Sequence, residues 1–349
     1  HGKDRNDAIA KMREALNGFV IRGINSTIPS ELGNLTSLTE LLLNNNKLHG
    51  RIPPSLGKLS ELQVFAAGIN HLTGPLPETL SGWTHIEHFW VMFNNISGSI
   101  PESYASWSNI TTFNTYNNSM DGTLPAALCQ WGNLTTLTGA VNEYSGTVPA
   151  CLAALPELQY IDLFQNKLTG TIPAEFSNMD LLRVLYLNKN QLHGDISVLC
   201  GARNLTQFYV EHNLFTGTIP TCLSSLPKLS DLFLHHNFYS GTIPESFGYS
   251  PMMQYIDLDT NLLSGTIPES FSNLQQLLFL VLFDNHLHGS LPPSFSRLAN
   301  LTLLLLQNNH LTGPLTHVFN ASVQTKLNTI QLSGNAFTGP IPEQPFLAR

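Results

Sequence analysis

A single glycine recurs in one local context, at Gly50, Gly74, Gly98, Gly122, Gly146, Gly170, Gly194, Gly217, Gly241, Gly265, Gly289, Gly313 and Gly339. The steps are 24 residues, apart from one of 23 and a last of 26. Four residues ahead of each stands an asparagine: Asn46, Asn70, Asn94, Asn118, Asn142, Asn166, Asn190, Asn213, Asn237, Asn261, Asn285, Asn309 and Asn335. A period held thirteen times excludes an ordinary globular core, because such a unit buries its apolar face only against its neighbours. The 349 residues therefore read as one array rather than the two or three domains that length alone suggests.

Upstream of each Asn, apolar residues fall at minus 11, minus 8, minus 5 and minus 3, as in Leu298, Leu301, Leu304 and Leu306 before Asn309. The last two alternate, which predicts a short strand with one face inward. The Asn is expected to turn the chain and to satisfy backbone groups that the turn leaves unpaired. Stacked coil on coil, these side chains form a buried ladder worth about 1 kcal/mol per rung. After the Gly comes Ile-Pro or a variant such as Leu124-Pro125 or Val148-Pro149. The branched residue plugs the core, and the Pro ends strand pairing and turns the chain onto an outer wall. Gly139 stands where a core Leu is expected, which predicts loose packing before Asn142.

The unit L-x-x-L-x-x-L-x-L-x-x-N-x-L-x-G-x-I-P resembles the plant-type leucine-rich repeat across about residues 24–342, and 38–53 match it almost letter for letter. Leu124-Pro125 and the stretch 104–107 also resemble repeats of kinetoplastid surface antigens. The fold expected is an α/β repeat solenoid, a leucine-rich-repeat superhelix of about thirteen 24-residue repeats with a parallel concave sheet. Both resemblances imply extracellular display and recognition of proteins, peptides or glycans. Plant receptors carry paired cysteines in their amino-terminal cap, and residues 1–23 contain none. That segment reads instead as a capping helix, with Asp7 as N-cap and Ile9, Met12 and Leu16 on one stripe. Residues 343–349 form a short tail without a comparable lid, so the native polypeptide is expected to continue, or a partner or self-assembly to cover that end.

The four cysteines are Cys129, Cys151, Cys200 and Cys222, each pair 22 apart and just past the Gly-x-Ile-Pro segment of adjacent repeats. One repeat of solenoid brings such residues close to disulfide reach, predicting Cys129–Cys151 and Cys200–Cys222. Four buried free thiols are the alternative; zinc is disfavoured, since neither pair shows C-x-x-C spacing. Nine sequons occur, at Asn25, Asn34, Asn95, Asn109, Asn117, Asn133, Asn204, Asn300 and Asn320. Four of them (Asn109, Asn133, Asn204, Asn300) lie nine residues before a ladder Asn and so share one flank. With the disulfides they favour a secreted or cell-surface glycoprotein carrying N-linked glycans and no other cofactor.

Net charge is -8, which argues against nucleic acid and anionic membrane as partners. No apolar run reaches the roughly 18 residues that span a bilayer. Outward positions of the strands carry Glu40, Glu87, Asp162, Glu211, Asp231, Asp257, Asp259 and Asp284 against only Arg183 and Lys189. They also carry Trp90, Phe93, Tyr116, Tyr160, Phe164, Tyr186, Tyr209, Phe233, Tyr255, Phe279 and Phe283. Aromatics favour strands in any case, but this density beside fixed charge predicts a ligand-binding groove, densest from Tyr186 to Phe283. Its expected contacts are Trp90, Tyr116, Phe164, Tyr186, Tyr209, Glu211, Phe233, His235, Asp257, Asp259 and Phe283. Glu211, His235 and Asp259 share one frame in three successive repeats, an arrangement that is either a solvated polar patch or a metal-ligand set. No nucleophile elbow or phosphate loop is present, so an enzyme is not expected. The function predicted is extracellular recognition, as a receptor ectodomain, surface antigen or secreted binding protein. The alternatives are a structural glycoprotein of a coat, fibre or wall, and, more weakly, an inhibitor of wall-degrading enzymes.

Overall fold

A computed structural model of the chain describes residues 26–340. The expected capping helix within 1–23, the sequon at Asn25 and the tail 343–349 lie outside the described residues. The chain divides into a unit running to Thr169 and a second beginning at Gly170.

In the first unit the strands Glu40–Leu42, Val64–Ala66, His88–Trp90, Thr112–Asn114, Thr136–Thr138 and Tyr160–Asp162 pair in parallel, each with the next. In the second, Val184–Tyr186, Gln207–Tyr209, Asp231–Phe233, Tyr255–Asp257, Phe279–Val281, Leu303–Leu305 and Thr329–Gln331 do the same. Each has only three residues, so its middle side chain points inward and the two flanking ones point out. Phe65, Phe89 and Phe113 in one unit, and Phe208, Leu232 and Leu280 in the other, are those buried middle residues.

The turn after the strand is made differently from the sequence expectation. The left-handed residue is not the ladder Asn but the one before it, including Ile69 at φ 58° and Val141 at φ 56°. Branched residues there are strained, and the neighbouring Asn holds the turn. Asn237 Nδ2 donates to the carbonyls of Leu234 (3.2 Å), His235 (3.2 Å) and, in the preceding coil, Val210 (3.0 Å). Its Oδ1 accepts the Phe215 N–H at 3.0 Å. Each ladder amide thus ties its own turn to the coil before it.

Two features of the sequence went unread. Further short strands follow the Asn, such as His71–Gly74 in the first unit and Leu214–Thr218, Phe238–Thr242 and His286–Ser290 in the second. The recurrent Gly sits at or near their ends with φ between 74° (Gly146) and 91° (Gly194), where a side chain would be strained. The outer wall carries its helices as short pieces: those among the described residues are five-residue 3-10 turns, such as Pro54–Lys58 and Glu245–Tyr249. A 24-residue coil holding two strands leaves no room for a longer helix, and 3-10 geometry suits short pieces.

Gly139 is not a loose spot. The ring of Tyr144 fills the space: a Cβ on Gly139 would stand 3.0 Å from Tyr144 Cε2 and 3.3 Å from Leu163 Cδ2. Tyr144 is fully buried and its hydroxyl meets Thr115 Oγ1 at 3.1 Å. Cys129 bonds Cys151 in the first unit and Cys200 bonds Cys222 in the second, with Cα separations of 5.5 and 5.6 Å. Each bridge ties the 3-10 turns of two successive coils. Among the described residues no helix is long and apolar enough to cross a membrane.

Candidate functional site

Register builds the site. Along the second unit, Tyr186, Tyr209, Phe233, Asp257, Val281 and Leu305 stand opposite one another, as do Gln207, Asp231, Tyr255, Phe279 and Leu303. These are outward positions, so their side chains share one face of the sheet. They and their neighbours enclose an open hollow of about 600 Å³ whose lining includes Asp231, Asp257 and Asp259 and no lysine or arginine.

The aromatic side chains form a continuous row. Tyr186 stacks on Tyr209 with centroids 4.5 Å apart, and Tyr209 meets Phe233 edge to face at 4.7 Å. Phe233 lies 6.3 Å from Tyr255, which meets Phe279 edge to face at 5.0 Å. Such pairs hold ring orientation as well as area. At one end, Tyr209 Oη and Gln207 Nε2 both donate to Asp231 Oδ2 at 3.0 Å. Tyr186 Oη in turn donates to Gln207 Oε1 at 2.5 Å. Burial, and then the Asp231 carboxylate beside it, push the Tyr209 phenol above its usual range, so it stays a donor.

Beside this row lies a group of carboxylates. His235 Nδ1 approaches Asp257 Oδ2 at 3.5 Å, and His236 Nε2 approaches Asp259 Oδ2 at 3.7 Å. Thr260 Oγ1 donates to Asp259 Oδ2 at 2.6 Å. Burial raises the Asp257 carboxyl far above the carboxylate range, and the hydrogen bond and charge of Asp259 raise it further. Burial likewise lifts Glu211 to about 7 and keeps His235 neutral by lowering it.

The structure revises the sequence expectation for Glu211. That side chain is 8% exposed and accepts a short hydrogen bond from Asn188 Nδ2 on Oε1, so it is not an open contact. The three side chains whose ligating atoms come within 4.8 Å of one another are His235, Asp257 and Asp259, so Asp257 takes the place expected for Glu211. Tyr209, Phe233, Asp257, Asp259 and Phe283 line the hollow. Tyr186 flanks it through its stack on Tyr209. Trp90, Tyr116 and Phe164 belong to the first unit and are no part of it. There Trp90 donates to Thr112 Oγ1 at 2.7 Å and Tyr116 packs on Phe93 at 5.1 Å.

Sequence reasoning missed the apolar floor of Val281, Leu303 and Leu305, and the role of Gln207. The floor had a signal, three aliphatic residues at outward positions where polar ones are usual. Gln207 had none, because its importance is the bond it makes across the strands.

A family model for the leucine-rich repeat matches residues 37–59, 157–179, 204–226 and 252–274. No curated protein matches in sequence comparison. Among solved structures, the chain is similar to the Arabidopsis receptor kinase HAESA, in complex with the peptide hormone IDA and the co-receptor SERK1. That match has 32% identity and a TM-score of 0.85 over 91% of this chain and 53% of the other. It is similar to the plant peptide hormone receptor RGFR1, in complex with RGF2, at 29% identity and TM-score 0.77 over 94% and 60% of the two chains. It is similar to PEPR1, in complex with AtPEP1, at 28% and 0.83 over 93% and 49%. The chain thus spans half to three-fifths of the length of these relatives. The fold is that of a leucine-rich-repeat protein. Its repeats, with the Gly-x-Ile-Pro segment and the second strand, are of the plant type.

Proposed function

We propose that this chain is an extracellular, non-enzymatic recognition module whose hollow binds an extended peptide through a basic side chain. One observation carries the reading: carboxylates and aromatic rings line the hollow without a single base among them. An arginine or lysine entering it would meet ring faces worth about 0.5–2 kcal/mol as cation–π contacts. It would also meet Asp231, which takes both of its hydrogen bonds on Oδ2 and keeps Oδ1 for a ligand. Val281, Leu303 and Leu305 would receive an apolar neighbour of that residue. The similarity to HAESA, RGFR1 and PEPR1, each solved with a peptide hormone or named partner, supports a peptide over a glycan.

N-linked glycans on the sequons belong to the same reading. Asn34, Asn95, Asn133 and Asn320 are exposed, and Asn109, Asn117, Asn204 and Asn300 are half-buried. None of them lines the hollow, so sugars there leave it open.

The test is a calorimetric titration of the purified chain with matched peptides carrying a central arginine, a glutamine or a glutamate. The arginine peptide is expected to bind, and Asp231→Asn and Phe233→Ala each to weaken it about tenfold, or about 1.4 kcal/mol. Equal binding of all three peptides, or undiminished binding by both variants with native circular dichroism, overturns the proposal.

A further inference from the structure

We propose that His235, Asp257 and Asp259 form a binding site for one divalent transition-metal cation of the zinc or manganese class. The site does not rest on the peptide reading, which is carried by Asp231 and the rings.

The ligating atoms of the three side chains lie within 4.8 Å of one another. Bonds of about 2.0–2.2 Å to a tetrahedrally bound ion put two ligand atoms about 3.3–3.6 Å apart. Side-chain rotations that bring the farthest pair about 1 Å closer therefore close the set. The three residues sit on two adjacent coils, and backbone pairing fixes the coils: Asp231–Phe233 runs beside Tyr255–Asp257, and His236 N donates to Asp259 O at 3.1 Å. The protein has prepaid the ordering that an ion would otherwise demand.

Asp259 is only 4% exposed, and Asp257, half-buried beside it, is close enough to share a hydrogen bond. Two carboxylates held this close would repel each other across poorly solvated space, and a cation between them, in place of the shared proton, removes the repulsion. No lysine or arginine lines the hollow to serve instead. His235 supplies a nitrogen donor, which with carboxylate oxygens suits zinc or manganese better than calcium with its all-oxygen shell.

A further observation points the same way. Glu211, two repeats before Asp259 in the same frame, is more than nine-tenths buried, yet its Oε2 has no hydrogen-bond partner among the described residues. His235 Nδ1 is also buried without one, despite lying 3.5 Å from Asp257 Oδ2. The charge of Glu211 reaches Asp257. Buried polar atoms are nearly always satisfied, and those left over call for an explanation such as an ion. An ion held by His235, Asp257 and Asp259 uses the imidazole nitrogen directly and sets a positive charge within reach of Glu211.

The test uses the chelator-treated full chain and metal alone. Cobalt(II) is expected to give a visible d–d absorption that saturates at one equivalent, and zinc to displace it. Asp257→Asn with Asp259→Asn is expected to weaken zinc at least tenfold while the chain stays folded, since the change removes charge and keeps shape. His286→Gln with His310→Gln removes an exposed stacked pair, centroids 5.8 Å apart, and is expected to leave the affinity unchanged. Absence of saturable binding, equal zinc affinity in the Asp double variant, loss of binding in the His286/His310 variant, or preference for calcium each overturns the proposal. Arginine-peptide titration of the Asp257/Asp259 variant separates the two readings: binding retained with metal lost leaves both standing, and metal retained with peptide lost sinks only this one.

Discussion

At the scale of the residue, one position of the repeat chooses between Asn and Asp, and the choice has a thermodynamic signature. Asn114 Oδ1 accepts the Tyr116 N–H at 3.0 Å, and Asp162 Oδ1 accepts the Phe164 N–H at 3.2 Å in the equivalent place. The local geometry is the same, so the carboxylate adds only a charge. Asp162 is 9% exposed, and burial raises its carboxyl to about 6, against a smaller lowering by the Phe164 N–H. Below the ordinary carboxylate range the group is neutral in both folded and unfolded chains and costs nothing. As pH climbs toward 6 the unfolded chain releases its proton first, and the native state loses stability. Above 6 the loss is complete and on the order of 3 kcal/mol. Asp162→Asn keeps the acceptor and removes the charge. Its melting temperature is expected to exceed that of the parent at pH 7.5 and to match it at pH 4. An equal gain at both pH values would assign the effect to packing instead of ionisation.

At the scale of the element, the first unit is distinguished by an indole column. Trp83, Trp107 and Trp131 occupy the same frame of successive repeats, fully buried, with centroids 6.1 and 6.0 Å apart. Each Nε1 donates to a carbonyl one coil back, at 2.7 Å to Leu56, 2.9 Å to Leu80 and 2.9 Å to Tyr104. Phe89 and Phe113 pack against Trp107 at 5.2 and 6.4 Å. Trp107→Ala opens a cavity between layers that backbone pairing holds apart, and should cost about 3–5 kcal/mol. Trp107→Phe keeps most of the area and gives up the hydrogen bond. The Leu80 carbonyl still receives the Trp83 N–H at 2.9 Å, so that loss is about 1 kcal/mol, plus a smaller cavity. Urea melts of both variants measure the difference. A phenylalanine variant as weak as the alanine one would mean that the hydrogen bond outweighs the packing.

At the scale of the whole molecule, the repeat was legible and the cross-strand chemistry was not. Thirteen asparagines at a fixed offset announced the strands, the ladder and the cysteine pairs, because spacing alone decides which coils are neighbours. Spacing also placed Tyr209, Phe233, Asp257 and Asp259 on one face. It could not show that Asn188 ties down Glu211, that Gln207 and Tyr209 converge on one oxygen of Asp231, or that Tyr144 fills the gap at Gly139. Those facts depend on rotamers chosen between coils. The 3-10 geometry of the wall was not legible because the Pro that starts most of these turns is equally compatible with the first turn of an α-helix.

The charge of the molecule supplies a test that no single residue does. The chain carries -8 overall, and Asp231 and Asp259 line the hollow with no lysine or arginine beside them. A basic ligand is therefore drawn in over a distance set by the Debye length, about 30 Å at 0.01 M salt and about 3 Å at 1 M. Steering of this kind acts on association, while dissociation follows the desolvated contacts at Phe233, Val281 and Leu305. For the arginine peptide, the association rate is expected to fall about tenfold or more across that range of salt, with the dissociation rate changing far less. Stopped-flow fluorescence or surface plasmon resonance separates the two rates. Salt-insensitive association would mean that the aliphatic floor, not the carboxylates, captures the ligand, and the hollow would then be an apolar site with an acidic rim.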